Sequence, residues 1–257
     1  MAEDTQAANV GLRDAALAGW YKTASGELFE GLRIGPEDVV ADIGCGDGGN
    51  AGFCGRFAAR VIVADIDPGR VARTVQRVRD TVREAGGACQ VEGHATDGDP
   101  LPIPSGTATR VVCTEVLEHV PDPARFLAEL ARIGRPGAEY LITVPDPLGE
   151  RLQSRVAHPS YFQPPNHVRV IERDELARLV EGAGLRITRQ TGFGFYWTLW
   201  MTMFWSCGVD LAAPRHPALD GWARAWDAFL DTPDAALAKR ALDEALPKSQ
   251  LILARKP

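Results

Sequence analysis

The sequence has few cysteines, no excess of basic residues and no apolar leader. Its five cysteines are scattered and form no CxxC pair, which favours reduced thiols over a disulfide framework or a zinc site. Lys and Arg number 28 against 34 Asp and Glu, a net charge of −6, so no nucleic-acid partner is expected. The acidic N-terminus lacks the apolar core of a secretory signal. The predicted location is therefore cytoplasmic.

One uncharged run extends from Gln190 to Val209. About 20 apolar residues can span a bilayer, but this run includes Gln, Thr, Ser and three Gly. No transmembrane span is predicted, and a peripheral membrane contact is the alternative. Seven of the 19 aromatic residues lie between Phe193 and Trp205. They predict an aromatic-rich helical cap over 192–248, whose rings either enclose an acceptor or form helix core or a dimer contact.

Short apolar runs alternate with helical patterns along the chain, which predicts a mainly parallel sheet covered by helices on both faces. The predicted strands are 39–43, 60–65, 90–93, 111–114, 140–144, 185–189 and 250–254. Asp67-Pro68 and Asp122-Pro123 each predict a helix N-cap followed by a first-turn proline. The segment 145–170, rich in Pro and His, is predicted to be a loop.

The first strand runs into a glycine-rich turn, DIGCGDGG at 42–49. Glycine allows a sharp turn and a close approach to a ligand. Gly44, Gly46 and Gly49 spell GxGxxG and Asp65 follows about twenty residues on, a pattern typical of dinucleotide sites. An NAD-dependent oxidoreductase is therefore one alternative. The position of Asp42, TDGDPLPIP at 96–104 and CTEVLEHVPDP at 113–123 favour S-adenosylmethionine (SAM) instead.

These three blocks, in this order, resemble the class I SAM-dependent methyltransferases over residues 37–189. The resemblance implies a Rossmann-like seven-stranded sheet with the last strand antiparallel. The whole chain 1–257 would be one domain, with a helical N-terminal lid at 1–33 that includes Trp20 and Tyr21. The cap would be inserted before the last strand. The implied cofactor residues are Asp42, Gly44, Gly46 and Thr114 at the methionine end, Asp65 at the ribose, and Ile66 and Asp97 at the adenine.

Methyl transfer from a sulfonium mainly requires alignment of the reacting atoms. A hydroxyl or amine acceptor also needs a base near neutral pH, for which histidine is suited. His119 follows the fourth strand at the carboxyl edge of the sheet, where ligands bind in open α/β folds. His167 follows the fifth strand in PPNHVRV. His119 is the first candidate base and His167 the second.

Glu115, Glu118 and His119 form ExxEH, and His167 follows in the next loop. This set resembles the metal-binding quartet of small-RNA 2′-O-methyltransferases and the EH motif of ubiquinone-pathway O-methyltransferases. Two carboxylates and two imidazoles would hold a divalent ion such as Mg²⁺, which orients acceptor oxygens and lowers their pKa. EVLEHV also occurs without a metal, so the ion stays an alternative.

The sequence thus predicts a cytoplasmic SAM-dependent methyltransferase that acts on a small molecule. A hydroxyl oxygen is the favoured acceptor because a histidine base suits it, and natural-product, sugar and phenolic or quinone-like substrates all fit. A membrane-associated quinone or lipid methyltransferase, an NAD-dependent oxidoreductase and a SAM-binding protein without catalysis are the alternatives. A homodimer is the predicted assembly if the aromatic cap is an interface.

Overall fold

A computed structural model describes residues 6–164, 166–210 and 214–257. The chain divides into two compact units. The sheet unit contains Tyr21–Val144, Asp174–Gln190 and Leu251–Pro257, and the helical unit contains the described residues of 1–20, 145–173 and 191–250.

Strands and helices alternate as the sequence predicts. The strands are β1 Trp20–Lys22, β2 Glu27–Phe29, β3 Leu32–Arg33, β4 Val39–Ile43, β5 Arg60–Asp65, β6 Gln90–Ala95, β7 Ala108–Thr114, β8 Gly134–Pro145, β9 Arg186–Phe193 and β10 Ser249–Arg255. The α-helices are α1 Gln6–Leu17, α2 Gly49–Gly55, α3 Pro68–Glu84, α4 Pro123–Ile133, α5 Pro147–Gln153, α6 Arg173–Gly182, α7 Phe195–Cys207, α8 Pro217–Leu230 and α9 Ala235–Ala245. A short 3-10 helix covers Pro159–Phe162.

The main sheet has seven strands in the order β6-β5-β4-β7-β8-β10-β9. Strands β4 to β8 pair in parallel. The chain proceeds from β4 outward to β5 and β6, and then returns to place β7 on the other side of β4. The carboxyl ends of β4 and β7 therefore lie at the switch point of the sheet, where ligands bind in open α/β folds.

The last strand runs against its neighbour. Gly137 donates to the carbonyl of Lys256, near the start of β8 and the end of β10, and Asp146 donates to the carbonyl of Lys248, at the opposite ends of the same strands. A position further along β8 thus pairs with one earlier in β10, which defines an antiparallel pair. The predicted Rossmann-like sheet with an antiparallel last strand is confirmed.

Aspartate–proline pairs begin three of the helices. The predicted N-caps are confirmed, since Asp67 accepts from the amides of Gly69 and Arg70, and Asp122 accepts from the amide of Arg125. The third pair lies inside the predicted loop 145–170. Asp146 accepts from the amide of Leu148 and begins α5, so the loop prediction is wrong for that stretch. The helix was missed because it has only seven residues.

The helical unit has an apolar core of its own. One buried cluster contains Val10 of α1, Tyr196 and Phe204 of α7, and Leu219 and Trp226 of α8. In the described part of the chain, helices α7, α8 and α9 lie between β9 and β10, and the cap role of 192–248 stays a prediction. The segment predicted to be an N-terminal lid is only partly helical, because α1 ends at Leu17 and a three-stranded sheet β1-β2-β3 follows. The prediction that Trp20 and Tyr21 lie on a helix is wrong. In the described part of the chain, no helix is both long and apolar enough to cross a membrane.

Candidate functional site

The glycine turn after β4 adopts a conformation that favours glycine. Gly44 and Gly46 have φ angles of 76° and 50°, a region that side chains with a Cβ rarely adopt. A Cβ on Gly44 would lie 2.2 Å from Cγ2 of Val116, whereas one on Gly46 would have nothing within 4 Å. Gly44 thus allows close packing against the segment after β7, and Gly46 borders open space in which a ligand would fit.

Asp65 connects this turn to the end of the neighbouring strand β5. Its Oδ2 accepts from the amide of Gly46 and its Oδ1 accepts from the amide of Asp67, both over 3.1 Å. A carboxylate can accept about four hydrogen bonds, so each oxygen keeps capacity for a ribose hydroxyl. The next residue, Ile66, is 75% exposed, and an exposed apolar side chain there suits contact with a flat base.

Asp42 is a buried carboxyl at the end of β4. It is 1% exposed, and neither oxygen has a hydrogen-bond partner of ordinary geometry among the described residues. Burial raises its pKa to about 7, a nearby amide of Ala51 opposes the rise, and the charge of Asp65 adds to it. An unpaired buried carboxylate is costly unless a cation or donor reaches it. The site therefore fits the charged methionine end of SAM.

A chain of hydrogen bonds joins three elements of the sheet unit at the same edge. The Tyr21 hydroxyl donates to Oδ1 of Asn50 over 2.9 Å, and Nδ2 of Asn50 donates to the Thr114 hydroxyl over 3.1 Å. Burial raises the pKa of Tyr21 to about 12, and the nearby charge of Asp42 contributes. Tyr21 therefore stays protonated and serves as a donor. Asn50 was missed from the sequence because nothing local distinguishes it from any polar residue at a helix start.

Asp97 lies beyond β6 in the sheet unit. Its side chain is exposed, and its Oδ1 accepts from the amide of Asp99 over 3.2 Å. This bond fixes the local turn and leaves carboxylate capacity for a donor such as an adenine amino group. The adenine role of Asp97 stays a prediction.

The ExxEH residues follow β7 in the sheet unit. Glu118 is buried, and its Oε1 lies 3.8 Å from Nε2 of His119. Glu115 has a left-handed φ of 54°, and its Oε1 accepts from the Thr143 hydroxyl over 2.9 Å. Such strain in a residue other than glycine costs energy and is common at functional sites. Glu115 is thus held toward β8. A metal site at the ExxEH residues stays a prediction.

His167 lies in the helical unit and pairs with a carboxylate that sequence reasoning missed. Its Nδ1 lies 2.9 Å from Oε2 of Glu150, and the Tyr161 hydroxyl donates to Oε1 of the same carboxylate over 3.0 Å. Burial raises the pKa of Glu150, but the hydrogen bond and charge of His167 and the charge of Lys248 outweigh it, and the net pKa lies below its ordinary value. The structure thus holds His167 through an ionised partner. The Asp146-Pro147 signal would have revealed α5 and so Glu150.

Comparison with known proteins identifies relatives over most of the chain. Residues 13–190 match the family model of the methyltransferase domain. A probable S-adenosylmethionine-dependent methyltransferase of Mycolicibacterium smegmatis is 31% identical over 60% of this chain and 54% of that protein. The ubiquinone biosynthesis O-methyltransferase of Aeromonas salmonicida is 30% identical over 67% of this chain and 70% of that protein. The chain spans about half the length of the first curated relatives it matches.

A solved structure shares the fold. Geranyl diphosphate C-methyltransferase from Streptomyces coelicolor A3(2), in complex with Mg²⁺, geranyl diphosphate and S-adenosyl-L-homocysteine, has a TM-score of 0.57. It is 16% identical and the match covers 96% of this chain and 78% of that one. At this identity the likeness shows the fold alone. The family match includes the glycine turn and Asp65, so the dinucleotide interpretation of GxGxxG is wrong and the NAD-dependent alternative is withdrawn.

Proposed function

The chain belongs to the methyltransferase domain family and is a class I SAM-dependent methyltransferase, and we propose that its acceptor is a hydroxyl oxygen of a small molecule. The observation that carries the proposal is the hydrogen bond between Nδ1 of His167 and Glu150. A histidine held by a carboxylate is suited to remove a hydroxyl proton. Natural-product, sugar and phenolic or quinone-like acceptors all present such a group.

The sheet unit supplies the residues for the cofactor. When bound, SAM supplies a methyl group on a positively charged sulfur. Asp65 would accept the ribose hydroxyls, Ile66 would contact the adenine, and Asp97 would accept from its amino group. Asp42 would face the charged methionine end, beside the turn of Gly44. These roles follow from the family's motif and from the unpaired carboxylate, the open glycine and the exposed isoleucine described above.

The helical unit supplies a base. An ionised Glu150 can only accept, so Nδ1 of His167 would be the donor, and in the neutral ring Nε2 would be the free acceptor of a proton. Nε2 takes the acceptor's hydroxyl proton, which leaves an oxygen nucleophile, and Glu150 stabilises the imidazolium that forms. His119 is the other candidate base, with the buried Glu118 beside it.

Matched variants of His167 and His119 distinguish the two candidate bases. We expect His167→Gln to lower kcat about 100-fold or more, the range for loss of a general base, while affinity for S-adenosylhomocysteine stays unchanged. Methyl transfer to a panel of phenols and sugars is measured with labelled SAM. The control is His94→Gln, which changes a half-buried histidine of the sheet unit beside Glu92. A large loss only in His119→Gln would move the base to His119, and wild-type rates in both variants would refute a histidine base.

A divalent metal ion, bound by the ExxEH residues and His167, is a further proposal. Glu115, Glu118, His119 and His167 offer the oxygen and nitrogen ligands that Mg²⁺ or a transition ion uses. A metal-dependent enzyme would lose activity in EDTA and regain it with Mg²⁺, and Glu115→Ala would be inactive. If the histidine base acts alone, both the EDTA-treated enzyme and Glu115→Ala retain activity.

A membrane-associated quinone or lipid substrate is the second candidate function. The relative from Aeromonas salmonicida is named for ubiquinone biosynthesis, and α7 is uncharged along its whole length. Flotation of the protein with liposomes tests this second function, because a peripheral enzyme rises with the vesicles and one acting on dissolved substrates stays at the bottom.

The five free cysteines support a cytoplasmic setting, where thiols remain reduced.

A further inference from the structure

The helical unit contains buried polar atoms that the folded chain does not satisfy. Gln153 is fully buried, and both its amide nitrogen and its amide oxygen have no hydrogen-bond partner among the described residues. The indole Nε1 of Trp205 is also buried without a partner in that part of the chain. Each such group costs free energy, and in a native structure it points to a bound water or ligand.

These atoms belong to the same neighbourhood as the base. Gln153 follows Glu150 by three residues on α5, so the two side chains share one face of the helix. Helix α7, which carries Trp205, packs against α5. The Trp205 ring lies 5.4 Å from the ring of Tyr161, whose hydroxyl donates to Glu150. Glu150, His167, Tyr161 and Trp205 are thus linked by hydrogen bonds and ring contacts, and Gln153 lies on the Glu150 face of α5.

Aromatic rings form the rest of the cluster. Tyr161 contacts Phe162 edge-on at 4.8 Å and His167 at 4.4 Å between ring centroids. Tyr and Trp rings would supply contact area for a flat molecule at little cost in side-chain entropy. The unpaired amide and indole groups suit an oxygen that can both accept and donate, because Gln153 offers an NH2 donor and an oxygen acceptor and Trp205 offers one N–H donor.

We propose that Gln153, Trp205, Tyr161 and the Glu150–His167 pair form the acceptor subsite, and that it takes an aromatic ring with two neighbouring oxygens, as in a catechol. One oxygen would face His167, and the second would pair with Gln153 and Trp205. This inference rests on the proposed O-methyl transfer and narrows its substrate class from any hydroxyl compound to a hydroxylated ring.

The test uses 4-nitrocatechol, a probe whose absorbance shifts when it ionises. Titrated into the intact protein without SAM, it should bind as the ionised form at a pH where the free probe is neutral. Glu150→Gln should weaken binding at least tenfold and abolish the spectral shift, since the imidazolium loses its ionised partner. Glu172→Gln, which removes an exposed carboxylate from the same unit, is the matched control.

Gln153→Leu distinguishes a ligand contact from a structural one. Leucine has a similar volume and no polar atoms, so it should raise the Tm of the free protein and weaken probe binding about tenfold, the effect of one or two lost hydrogen bonds. Trp205→Phe keeps the ring and should weaken binding a few-fold. Gln76→Leu, an exposed glutamine of α3, controls for the chemical change.

Two outcomes overturn the subsite. The first is a wild-type protein that binds S-adenosylhomocysteine but neither binds nor shifts the probe, a result that leaves the methyltransferase function intact. The second is a Gln153→Leu protein with lower Tm and unchanged probe affinity, which would make the amide structural. Failure of S-adenosylhomocysteine to bind the wild type would instead refute the cofactor site.

Discussion

Gly46 and Asp65 are joined by a hydrogen bond of 3.1 Å from the glycine amide to carboxylate Oδ2. The same carboxylate therefore fixes the glycine turn and is the predicted ribose ligand. Two protein amides occupy part of the acceptor capacity of Asp65, and the Arg70 guanidinium lies 3.9 Å from Oδ2, so acceptor positions remain for a ribose hydroxyl.

Asp65→Ala should weaken S-adenosylhomocysteine binding on the order of 10- to 100-fold. A hydrogen bond to a charged group contributes about 1.5–3 kcal/mol, and each 1.4 kcal/mol is tenfold in affinity. Calorimetric titration measures the change. Asp67→Ala is the control, because its exposed carboxylate caps α3 and its loss costs about 1 kcal/mol of stability without touching the ribose. Equal affinities in the two variants would remove Asp65 from the site.

The buried carboxyl of Asp42 predicts a pH-dependent stability. Its pKa is raised from 3.8 to about 7, so between these values the unfolded chain has lost the proton that the folded one retains. Stability of the free protein should therefore fall as pH rises from 4 to 7, by roughly 4 kcal/mol at most. Asp42→Asn should flatten this slope in urea unfolding, whereas Asp80→Asn, at a partly exposed carboxylate paired with Arg83, should retain it. Parallel curves for wild type and Asp42→Asn would contradict the assignment.

The ionisation of Asp42 also predicts how the affinity for S-adenosylhomocysteine depends on pH. Its ionised form attracts the positive charge of the methionine end, so S-adenosylhomocysteine should bind more tightly above pH 7 than at pH 6. Asp42→Asn should bind more weakly at pH 8 and show little change between the two values. Calorimetry at both pH values measures this, and a pH-independent wild type would place the cofactor's amino group elsewhere.

Gly44→Ala should destabilise the protein through two separable effects. The left-handed φ of 76° costs a residue with a Cβ about 1–2 kcal/mol, and the new methyl group would overlap Val116. The double variant Gly44→Ala/Val116→Ala should recover the steric part only, as a double-mutant cycle of unfolding free energies would show. Additive changes in the unfolding free energy would mean that the turn moves away from Val116 when Gly44 is substituted.

Lys239 balances two buried carboxylates of the helical unit. Its Nζ lies 2.5 Å from Asp243 and 3.2 Å from Asp14, which also accepts from Nε1 of Trp226 over 2.9 Å. Lys239→Met should cost about 3–5 kcal/mol, because it leaves buried charge uncompensated. Urea unfolding measures the loss, and Lys22→Met at an exposed pair is the control. Adding Asp14→Asn and Asp243→Asn should restore most of the stability; no recovery would mean that the lysine acts by packing.

Much of the sheet unit could be predicted because its signals are local. A buried parallel strand needs a short apolar run, which residues 39–43 and 60–65 supply. A tight turn needs glycine, and a helix start needs a capping aspartate. Each prediction used only a few consecutive residues. The same kind of signal, Asp146-Pro147, was present for α5 but stood before a helix too short to show an apolar period.

Contacts between distant residues were not predictable in this way. Asn50 joins Tyr21 and Thr114, residues 29 positions before and 64 positions after it, and no pattern in one segment encodes its two partners. Tyr21 lies on strand β1 and not on the helix that the sequence predicted. Strand pairing depends on partners elsewhere in the chain, so a stretch of three residues carries no sufficient signal.

The sequence by itself determined the class of protein, because the glycine turn, Asp65 and the block after the fourth strand are local patterns within the segment that matches the methyltransferase family. Only the tertiary structure decided which histidine is held by an ionised carboxylate. Glu150 and His167 are 17 residues apart and meet through the path of α5 and the segment after it. Spacing along a loop does not fix the distance between two side chains, and the orientation of His167 depends on a partner that packing alone brings within hydrogen-bond reach.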